Sequence, residues 1–276
     1  NGPRPAVIGT CTLAPFQRPG GNAQRLAEGL TLIDQMAGEA QAAGWGLDIV
    51  LLPEHFAQGD RLPHEQEAEP LDGPLVAALA AKAKAYRTHV AVPMLLKDGG
   101  RVWNAVVMLG RDGRPLGAYR KIHPVLHLDG TLESGVMPGA EATVFDLDVG
   151  RIGAQICFDV FFTDGWAALD RAGAELVLFT SATSGVAALK AHAWRHEYYI
   201  AASTFRAPSV VVDPLGREVA RTTGDKEVRV TRLDLDYRVV PWNSLRDFGA
   251  ALGEKYAGRI RQDWHREEDI CLVTSL

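Results

Sequence analysis

Short, continuous apolar runs alternate along this chain with segments of helical periodicity. The run Asp48-Ile49-Val50-Leu51-Leu52 shows no alternation of polar and apolar residues, which is typical of strands buried on both faces of a sheet. Between residues 22 and 43 the apolar residues recur at helical spacing instead, with Asn22 as the N-cap. The pattern predicts an α/β chain with mixed strand directions and helices on both outer faces.

The same reading extends along the rest of the chain. Helices are predicted at about 22–43, 71–86, 165–172 and 187–197. Strands are predicted at 6–10, 48–52, 89–94, 103–109, 115–120, 142–149, 152–158, 176–179, 199–204, 209–212 and 228–235. Turns at 111–114 and 150–151 predict two hairpins. The tail after Tyr237 is polar and irregular, so we expect a single domain over 1–276 with 237–276 as a C-terminal extension.

Composition and charge exclude several function classes. The chain has 276 residues and a net charge of −5, which argues against general binding to nucleic acid or to an anionic membrane. No apolar run approaches the roughly 20 residues that span a bilayer. We therefore expect no nucleic-acid and no membrane partner, and a cytoplasmic location. Because the sequence begins at Asn1, export after removal of a leader is the alternative.

Cysteine and histidine patterns give no sign of a disulfide scaffold or a metal site. Cys11, Cys157 and Cys271 are far apart and form no Cys-x-x-Cys pair, which favours free thiols and a reducing compartment. The pairs of histidines at i, i+4 spacing lack the His-Glu-x-x-His form. No glycine-rich phosphate-binding loop is present either. We expect no metal and no cofactor.

Three short runs each place one ionisable residue where an apolar strand meets a loop. These runs are Leu51-Leu52-Pro53-Glu54, Tyr119-Arg120-Lys121-Ile122-His123 and Gly153-Ala154-Gln155-Ile156-Cys157-Phe158-Asp159. A carboxylate, an ammonium and a thiol in one place are able to act as base, oxyanion stabiliser and nucleophile. Taken singly, each has a simpler interpretation, namely a strand-end carboxylate, a surface lysine and a buried apolar thiol.

The chemistry of such a site sets expectations for its charges. Partial burial is expected to raise the pKa of Glu54 toward the working range of a general base. An ammonium from Lys121 near the sulfur of Cys157 is expected to favour the thiolate. The backbone N–H of Phe158 is the natural second donor to an oxyanion. Cys11 and the third cysteine lack such a setting and are expected to be structural.

In this order and context, the three runs resemble the Glu-Lys-Cys triad of the nitrilase (carbon–nitrogen hydrolase) superfamily. The resemblance extends from about residue 6 to 236 and implies an αββα sandwich of two stacked mixed sheets. It implies Glu54 as base, Lys121 as oxyanion-binding acid and Cys157 as nucleophile. Residues 131–139 resemble the stretch that often holds a second family glutamate. Glu133 matches that glutamate, which positions the lysine or the substrate.

The sequence departs from the family pattern in two places. Many members follow the Cys-x-Asp run with Pro-Glu, whereas this chain has Phe161-Phe162-Thr163-Asp164, with Asp164 expected as an N-terminal helix residue. Many members also carry Arg-Ala-x-Glu-Asn before a late strand, whereas Trp194-Arg195-His196-Glu197-Tyr198-Tyr199 occupies that region. Both departures concern subfamily and substrate more than the triad.

The resemblance implies a cofactor-free enzyme of the amidase or carbamoylase branch. Such an enzyme hydrolyses non-peptide C–N bonds in small amides or N-carbamoyl compounds through a cysteine thioester, and it releases ammonia or an amine. Asp159 after the nucleophile run resembles amidase-type members, because nitrilases proper more often carry Trp-Glu there. Nitrile hydrolysis by the same triad, a catalytically idle binding protein and a redox sensor using Cys157 are the alternatives. Family members usually form dimers or larger assemblies, so a homodimer or higher homo-oligomer is expected.

Overall fold

Fifteen strands and six helices are present in the part of the chain that the computed structural model describes, namely residues 2–14, 21–58, 64–241, 248–265, 268 and 270–276. The helices are α1 (Gly21–Ala42), α2 (His64–Glu67), α3 (Pro74–Tyr86), α4 (Asp164–Arg171), α5 (Val186–His196) and α6 (Phe248–Lys255). The strands are β1 (Pro5–Leu13), β2 (Ile49–Leu51), β3 (His89–Asp98), β4 (Arg101–Leu109), β5 (Pro115–Arg120), β6 (Val144–Leu147), β7 (Gly150–Ile156), β8 (Leu176–Ser181), β9 (Tyr199–Thr204), β10 (Val210–Val212), β11 (Glu218–Arg221), β12 (Lys226–Asp234), β13 (Tyr237–Pro241), β14 (Ile260–His265) and β15 (Ile270–Ser275). Short 3-10 helices lie at Glu133–Gly135 and Cys157–Phe161.

The main strands form two sets that are joined at β1. One set has the order β5-β4-β3-β2-β1, and the other has the order β9-β8-β7-β6. β12 pairs with β1 along its length, and β10 and β11 extend the second set beyond β9. β1 meets β9 at one register pair, Thr12 with Thr204. Because this junction is so short, the two sets are able to face each other as separate sheets.

A shared apolar layer lies between the two sheets. It includes Ile49 and Leu51 of β2 together with Ile152, Ala154 and Ile156 of β7. These side chains alternate along their strands, so each strand presents one face to the layer and the other to a helix. Burial of this layer removes apolar area from both sheets at once and holds them face to face.

Helices cover the outer face of each sheet. Leu32 and Met36 of α1 pack in the cluster on the outside of the first sheet, together with Leu79 of α3. Trp166 of α4 and Leu189 of α5 pack in the corresponding cluster on the second sheet. The order is helix, sheet, sheet, helix, so the predicted αββα sandwich is confirmed.

Two glycines allow close approach at segments that lead into the candidate site. A Cβ on Gly29 of α1 would lie 2.3 Å from Cε2 of Phe56, in the loop that follows Glu54. A Cβ on Gly139 would lie 2.1 Å from the carbonyl oxygen of Arg120. A larger residue at Gly139 would therefore push away the backbone of Arg120, which precedes Lys121, and a larger residue at Gly29 would displace the Phe56 ring.

Most predicted elements agree with the structure to within a few residues, but the tail does not. The prediction of an irregular tail after Tyr237 is wrong, because β13, β15 and β14 form an antiparallel three-stranded sheet. The apolar pattern that would indicate a strand is weak here, because β14 is half-exposed and mostly polar, with the sequence Ile260-Arg261-Gln262-Asp263-Trp264-His265. That residues 237–276 are an extension of a single domain stays a prediction. β11 and α2 were also not anticipated.

No helix within the described ranges has the length and apolar character needed to cross a bilayer.

Candidate active site

The predicted ionisable residues lie beyond the ends of strands from both sheets. Glu54 follows β2 by three residues, Lys121 follows β5 directly, and Cys157 follows β7 directly. The structure brings Lys121 into contact with two carboxylates: its Nζ lies 3.2 Å from Glu54 Oε1 and 2.6 Å from Glu133 Oε1. Lys121 is completely buried, and Glu54 is 4% exposed. A buried ion pair of this kind needs further hydrogen bonds to its oxygens.

Those further hydrogen bonds come from one side chain and two backbone amides. Asn104 Nδ2 donates to Glu54 Oε1 at 2.7 Å and to Glu133 Oε1 at 3.2 Å. The Ala182 N–H donates to Glu54 Oε2 at 3.2 Å, and the Val125 N–H donates to Glu133 Oε2 at 3.1 Å. Every carboxylate oxygen of Glu54 and Glu133 therefore has at least one hydrogen-bond donor.

The charge states of the ion pair differ from the sequence-based expectation. Burial alone would raise the pKa of Glu54, but the positive charge of Lys121, the neighbouring His55 and the Asn104 hydrogen bond outweigh it, and the pKa is lowered. The expectation of a raised Glu54 pKa is wrong for this reason. Burial likewise lowers the pKa of Lys121, but Glu54 and Glu133 more than offset it, and the pKa is raised. The carboxylate and the ammonium both stay charged at neutral pH.

Cys157 occupies a sharp change of backbone direction. It begins a 3-10 helix directly after β7, and its φ is +46°. A residue with a side chain rarely adopts this left-handed conformation, and such strain is found most often at functional sites. His55, next to Glu54, also has a positive φ of +29°. Backbone strain is therefore present beside both the thiol and the carboxylate.

The Cys157 sulfur lies among groups that act on its charge in opposite directions. Burial raises the pKa of the thiol to about 12, and the Glu54 carboxylate adds to this effect, while Lys121, the Ser181 hydroxyl and the Ala182 N–H lower it. Lys121 therefore favours the thiolate, as expected, but burial and the Glu54 carboxylate outweigh it, so the resting thiol is protonated at neutral pH. A protonated thiol near an ionised carboxylate permits proton transfer as the sulfur attacks.

Phe158 is the second residue of the 3-10 helix that Cys157 begins. The first N–H groups of any helix have no partner within it, so the Phe158 N–H is available in principle to an incoming oxygen. The Phe158 ring packs edge-on against Phe161 at 5.5 Å and Phe162 at 5.4 Å between centroids. Phe161 is 72% exposed. An aromatic cluster therefore forms in the segment that directly follows Cys157.

Asp159 ties the turn that holds the thiol to the strand end that holds the ammonium. Its Oδ1 accepts from the backbone N–H of His123 at 2.9 Å and contacts His123 Nδ1 at 3.1 Å. Its Oδ2 accepts from the Tyr119 hydroxyl at 2.7 Å and from the Ile156 N–H at 2.9 Å. Asp159 is completely buried, so it satisfies four donors that flank the two groups in sequence. The Cys-x-Asp run contained this residue, but nothing in the run indicated the partners.

Sequence reasoning also missed Asn104. It lies inside the apolar run Val102-Trp103-Asn104-Ala105-Val106 of β4 and is 2% exposed. A buried amide must find hydrogen-bond partners, so a lone asparagine within such a strand was the available signal. Its partners, however, come from segments about 30 and 50 residues away and leave no trace in the local pattern.

Among the residues that the structure describes, no group of three or more His, Cys, Asp or Glu side chains is arranged to hold a metal ion.

Comparison with known proteins identifies a family and a fold for this chain. A family model described as carbon-nitrogen hydrolase matches residues 8–240. A Mycobacterium tuberculosis protein described as a hydrolase is 29% identical over 240 residues, which cover 76% of this chain and 85% of that protein. The omega-amidase NIT2 of Danio rerio is 27% identical over 223 residues, covering 71% and 80%. The crystal structure of Saccharomyces cerevisiae Nit3, a member of the nitrilase superfamily, superposes with a TM-score of 0.71 at 19% identity, covering 92% of this chain and 95% of that chain.

Proposed function

This chain belongs to the carbon–nitrogen hydrolase family, and on that basis we propose that it hydrolyses a non-peptide C–N bond in a small amide or N-carbamoyl compound. Cys157 is the nucleophile, Glu54 the base, Lys121 the oxyanion-binding acid, and Glu133 holds Lys121 in place. One observation carries the proposal. A buried ammonium lies between two carboxyl groups, beside a thiol on a strained turn.

The first half-reaction forms a thioester. Glu54 takes the thiol proton while the sulfur of Cys157 attacks the carbonyl carbon, so no free thiolate accumulates. The Lys121 ammonium and the Phe158 N–H stabilise the developing oxyanion. Glu54 then returns the proton to the departing nitrogen, and ammonia or an amine leaves.

The second half-reaction consumes water. Glu54, ionised again after the amine has left, takes a proton from a water molecule that attacks the thioester carbon. The same two donors hold the second oxyanion. When it collapses, the C–S bond breaks, and the sulfur of Cys157 recovers the proton from Glu54. The acid product leaves, and the site returns to a neutral thiol beside a carboxylate.

An amide or carbamoyl substrate is favoured over a nitrile. The omega-amidase relative acts on amides by its name, and Asp159 two residues after Cys157 resembles amidase-type members. A site that keeps its thiol protonated also suits a reaction in which the base must return a proton to a leaving nitrogen.

The test is ammonia release from a panel of small amides, N-carbamoyl compounds and nitriles. Cys157→Ala is assayed beside Cys271→Ala, which removes a buried thiol from β15. We expect turnover of an amide or carbamoyl compound by the wild type and by Cys271→Ala, and none by Cys157→Ala. Turnover of nitriles alone would contradict the proposed amide or N-carbamoyl substrates and show that the enzyme is a nitrile hydrolase. No turnover on any compound would favour a binding protein of this fold.

We also propose that the active form is a homodimer or higher homo-oligomer, as is usual in this family. Sedimentation equilibrium of the purified chain is expected to give a mass at least twice the 29.9 kDa of the monomer. A monomer mass across the micromolar range would contradict this proposal.

A cytoplasmic location is proposed on the state of the cysteines. Cys11, Cys157 and Cys271 are all free thiols, and free thiols persist in reducing compartments. Fractionation of the source cells tests it, and recovery of the protein outside the cytoplasm would contradict it.

A further inference from the structure

Asn104 and Lys121 contact the same two oxygen atoms. Asn104 Nδ2 lies 2.7 Å from Glu54 Oε1 and 3.2 Å from Glu133 Oε1. Lys121 Nζ lies 3.2 Å and 2.6 Å from the same atoms. Two nitrogens and two oxygens therefore form a closed ring of four contacts. The shorter contact of each carboxylate goes to a different nitrogen, so neither donor can replace the other.

The backbone presents the amide and the ammonium side by side. β4 and β5 are antiparallel, with Ala105 opposite Arg120. One residue further, the Lys121 N–H donates to the Asn104 carbonyl oxygen at 2.8 Å. The register of this hairpin thus fixes the distance between the backbones of Asn104 and Lys121 independently of their contacts with the two carboxylates.

The charges of the ring do not cancel. Two ionised carboxylates face one ammonium, which leaves one negative charge in excess in a buried place. The two hydrogens of the Asn104 amide point toward both oxygens and offset part of their repulsion without adding charge. The other end of this amide, Oδ1, is buried and has no hydrogen-bond partner in the part of the chain that the structure describes. The amide is thus satisfied on its donor side alone.

We propose that Asn104 is a positioning residue that holds the carboxylates of Glu54 and Glu133 at a fixed separation on either side of Lys121. Glu54 is thereby held in the state and place in which it accepts the thiol proton. The inference rests on the proposed function and deepens it. It assigns to one side chain the task of stabilising two like charges that the reaction needs together.

A change of acid–base behaviour follows. The charged or titratable groups around Glu54 are Lys121, Glu133, His55 and Cys157. The Asn104 hydrogen bond is one of the causes that hold the pKa of Glu54 below its usual range. Without that bond the pKa of Glu54 rises, and the carboxylate form is lost at a higher pH as the solution is made acidic.

The experiment follows the alkylation of Cys157 by iodoacetamide as a function of pH, with the labelled peptide measured by mass spectrometry. This rate reports on proton removal from the thiol and needs no substrate. The variants are Asn104→Leu, which removes the donors, and Asn104→Asp, which replaces them with a third carboxylate. The matched control is Gln155→Leu. It removes a buried amide from β7 on the face that lies against α4, where Gln155 approaches Gly165.

At low pH the alkylation rate falls, and we call this falling part of the profile the acid limb. We expect the acid limb to move to higher pH in Asn104→Leu and further in Asn104→Asp. The limb of Gln155→Leu stays with the wild type. Where turnover is measurable, kcat/KM of Asn104→Leu falls roughly tenfold or more, the loss expected for one hydrogen bond to a charged group. Folding of each variant is checked by its thermal transition. An acid limb that stays in place in folded variants would overturn the inference.

Asn104→Asp decides the matter if Asn104→Leu does not fold, because aspartate has nearly the shape of asparagine and lacks both N–H donors. A folded Asn104→Asp whose acid limb stays with the wild type would contradict the inference. A wild type that shows the alkylation profile but hydrolyses nothing would count against the proposed function and not against the role of Asn104.

Discussion

At the scale of single residues, the proton on Cys157 is the central fact of the site. The thiol is held neutral by burial and by the Glu54 carboxylate, with its pKa raised to about 12. The carboxylate stays ionised because Lys121 outweighs the effect of burial. The resting site therefore holds an ionised carboxylate beside a protonated thiol. In the proposed mechanism, the proton moves to Glu54 only as the sulfur attacks a substrate.

This charge state predicts the shape of the pH profile. The pKa of Glu54 is lowered, so its base form is present at neutral pH and is lost as the pH falls through that lowered value. We expect one acid limb in kcat/KM and no rise at about pH 8.5, where an ordinary cysteine ionises. Steady-state assays across this range check it. A rise near pH 8.5 would show a thiol that ionises freely and would contradict the arrangement.

At the scale of elements, the important contact joins the end of β5 to the 3-10 helix Cys157–Phe161. The Asp159 carboxylate accepts hydrogen bonds from Tyr119 and His123 on one side and from Ile156 on the other. The His123 ring also stacks on Phe162 at 3.9 Å between centroids. Hydrogen bonds and ring stacking therefore join the two segments, although they are about 35 residues apart in the chain.

Asp159→Asn tests this link through His123. The Asp159 carboxylate is the main cause that raises the pKa of His123, with Asp164 contributing. We expect the pKa of His123 to fall in Asp159→Asn and to fall less in Asp164→Asn, because Asp164 is largely exposed and its contact to Nε2 is longer, at 3.3 Å. NMR titration of the histidine ring protons measures both. Equal decreases of the His123 pKa in the two variants would contradict the prediction that Asp159 is the main partner of His123.

Local sequence patterns were sufficient to predict most strands, but they did not predict which distant residues contact each other in the candidate site. Apolar runs such as Ile49–Leu51 and Leu176–Ser181 are wholly buried, and sequence predicts such strands well. Glu54 and Lys121 were found because a charge after such a run stands out. Asn104 was missed, and the direction of the Glu54 pKa was wrong, because both depend on contacts from distant strands that no local pattern encodes.

At the scale of the whole molecule, an ionic network links the two sheets at one end of the sandwich. Asp148, in the turn between β6 and β7, contacts His89 Nε2 of β3 at 2.7 Å and Arg111 Nε at 2.8 Å. Arg111 also contacts Asp48 at 2.7 Å. This network supplements the apolar layer between the sheets and does not reach the candidate site.

Asp148→Asn is expected to lower the free energy of unfolding by about 1 kcal/mol or less, because the Asp148 side chain is 59% exposed and water screens its ion pairs. The difference should shrink at high salt. Asp146→Asn is the matched control, since Asp146 pairs with Arg151 inside the same hairpin. Urea unfolding at two salt concentrations measures both. A larger loss in the control would show that the link between the sheets contributes nothing of its own.

The single register pair between Thr12 and Thr204 has a consequence for the newborn protein. The Glu54 carboxylate and the Lys121 ammonium follow strands of the first sheet, whereas the Cys157 sulfur follows a strand of the second. Translation delivers Glu54, Lys121 and Glu133 before Cys157, so the carboxylates and the ammonium are synthesised before the thiol. Closing the sandwich therefore brings the Cys157 sulfur up to groups that were synthesised before it, and an incomplete chain holds the same cysteine without the burial and the charges that set its pKa.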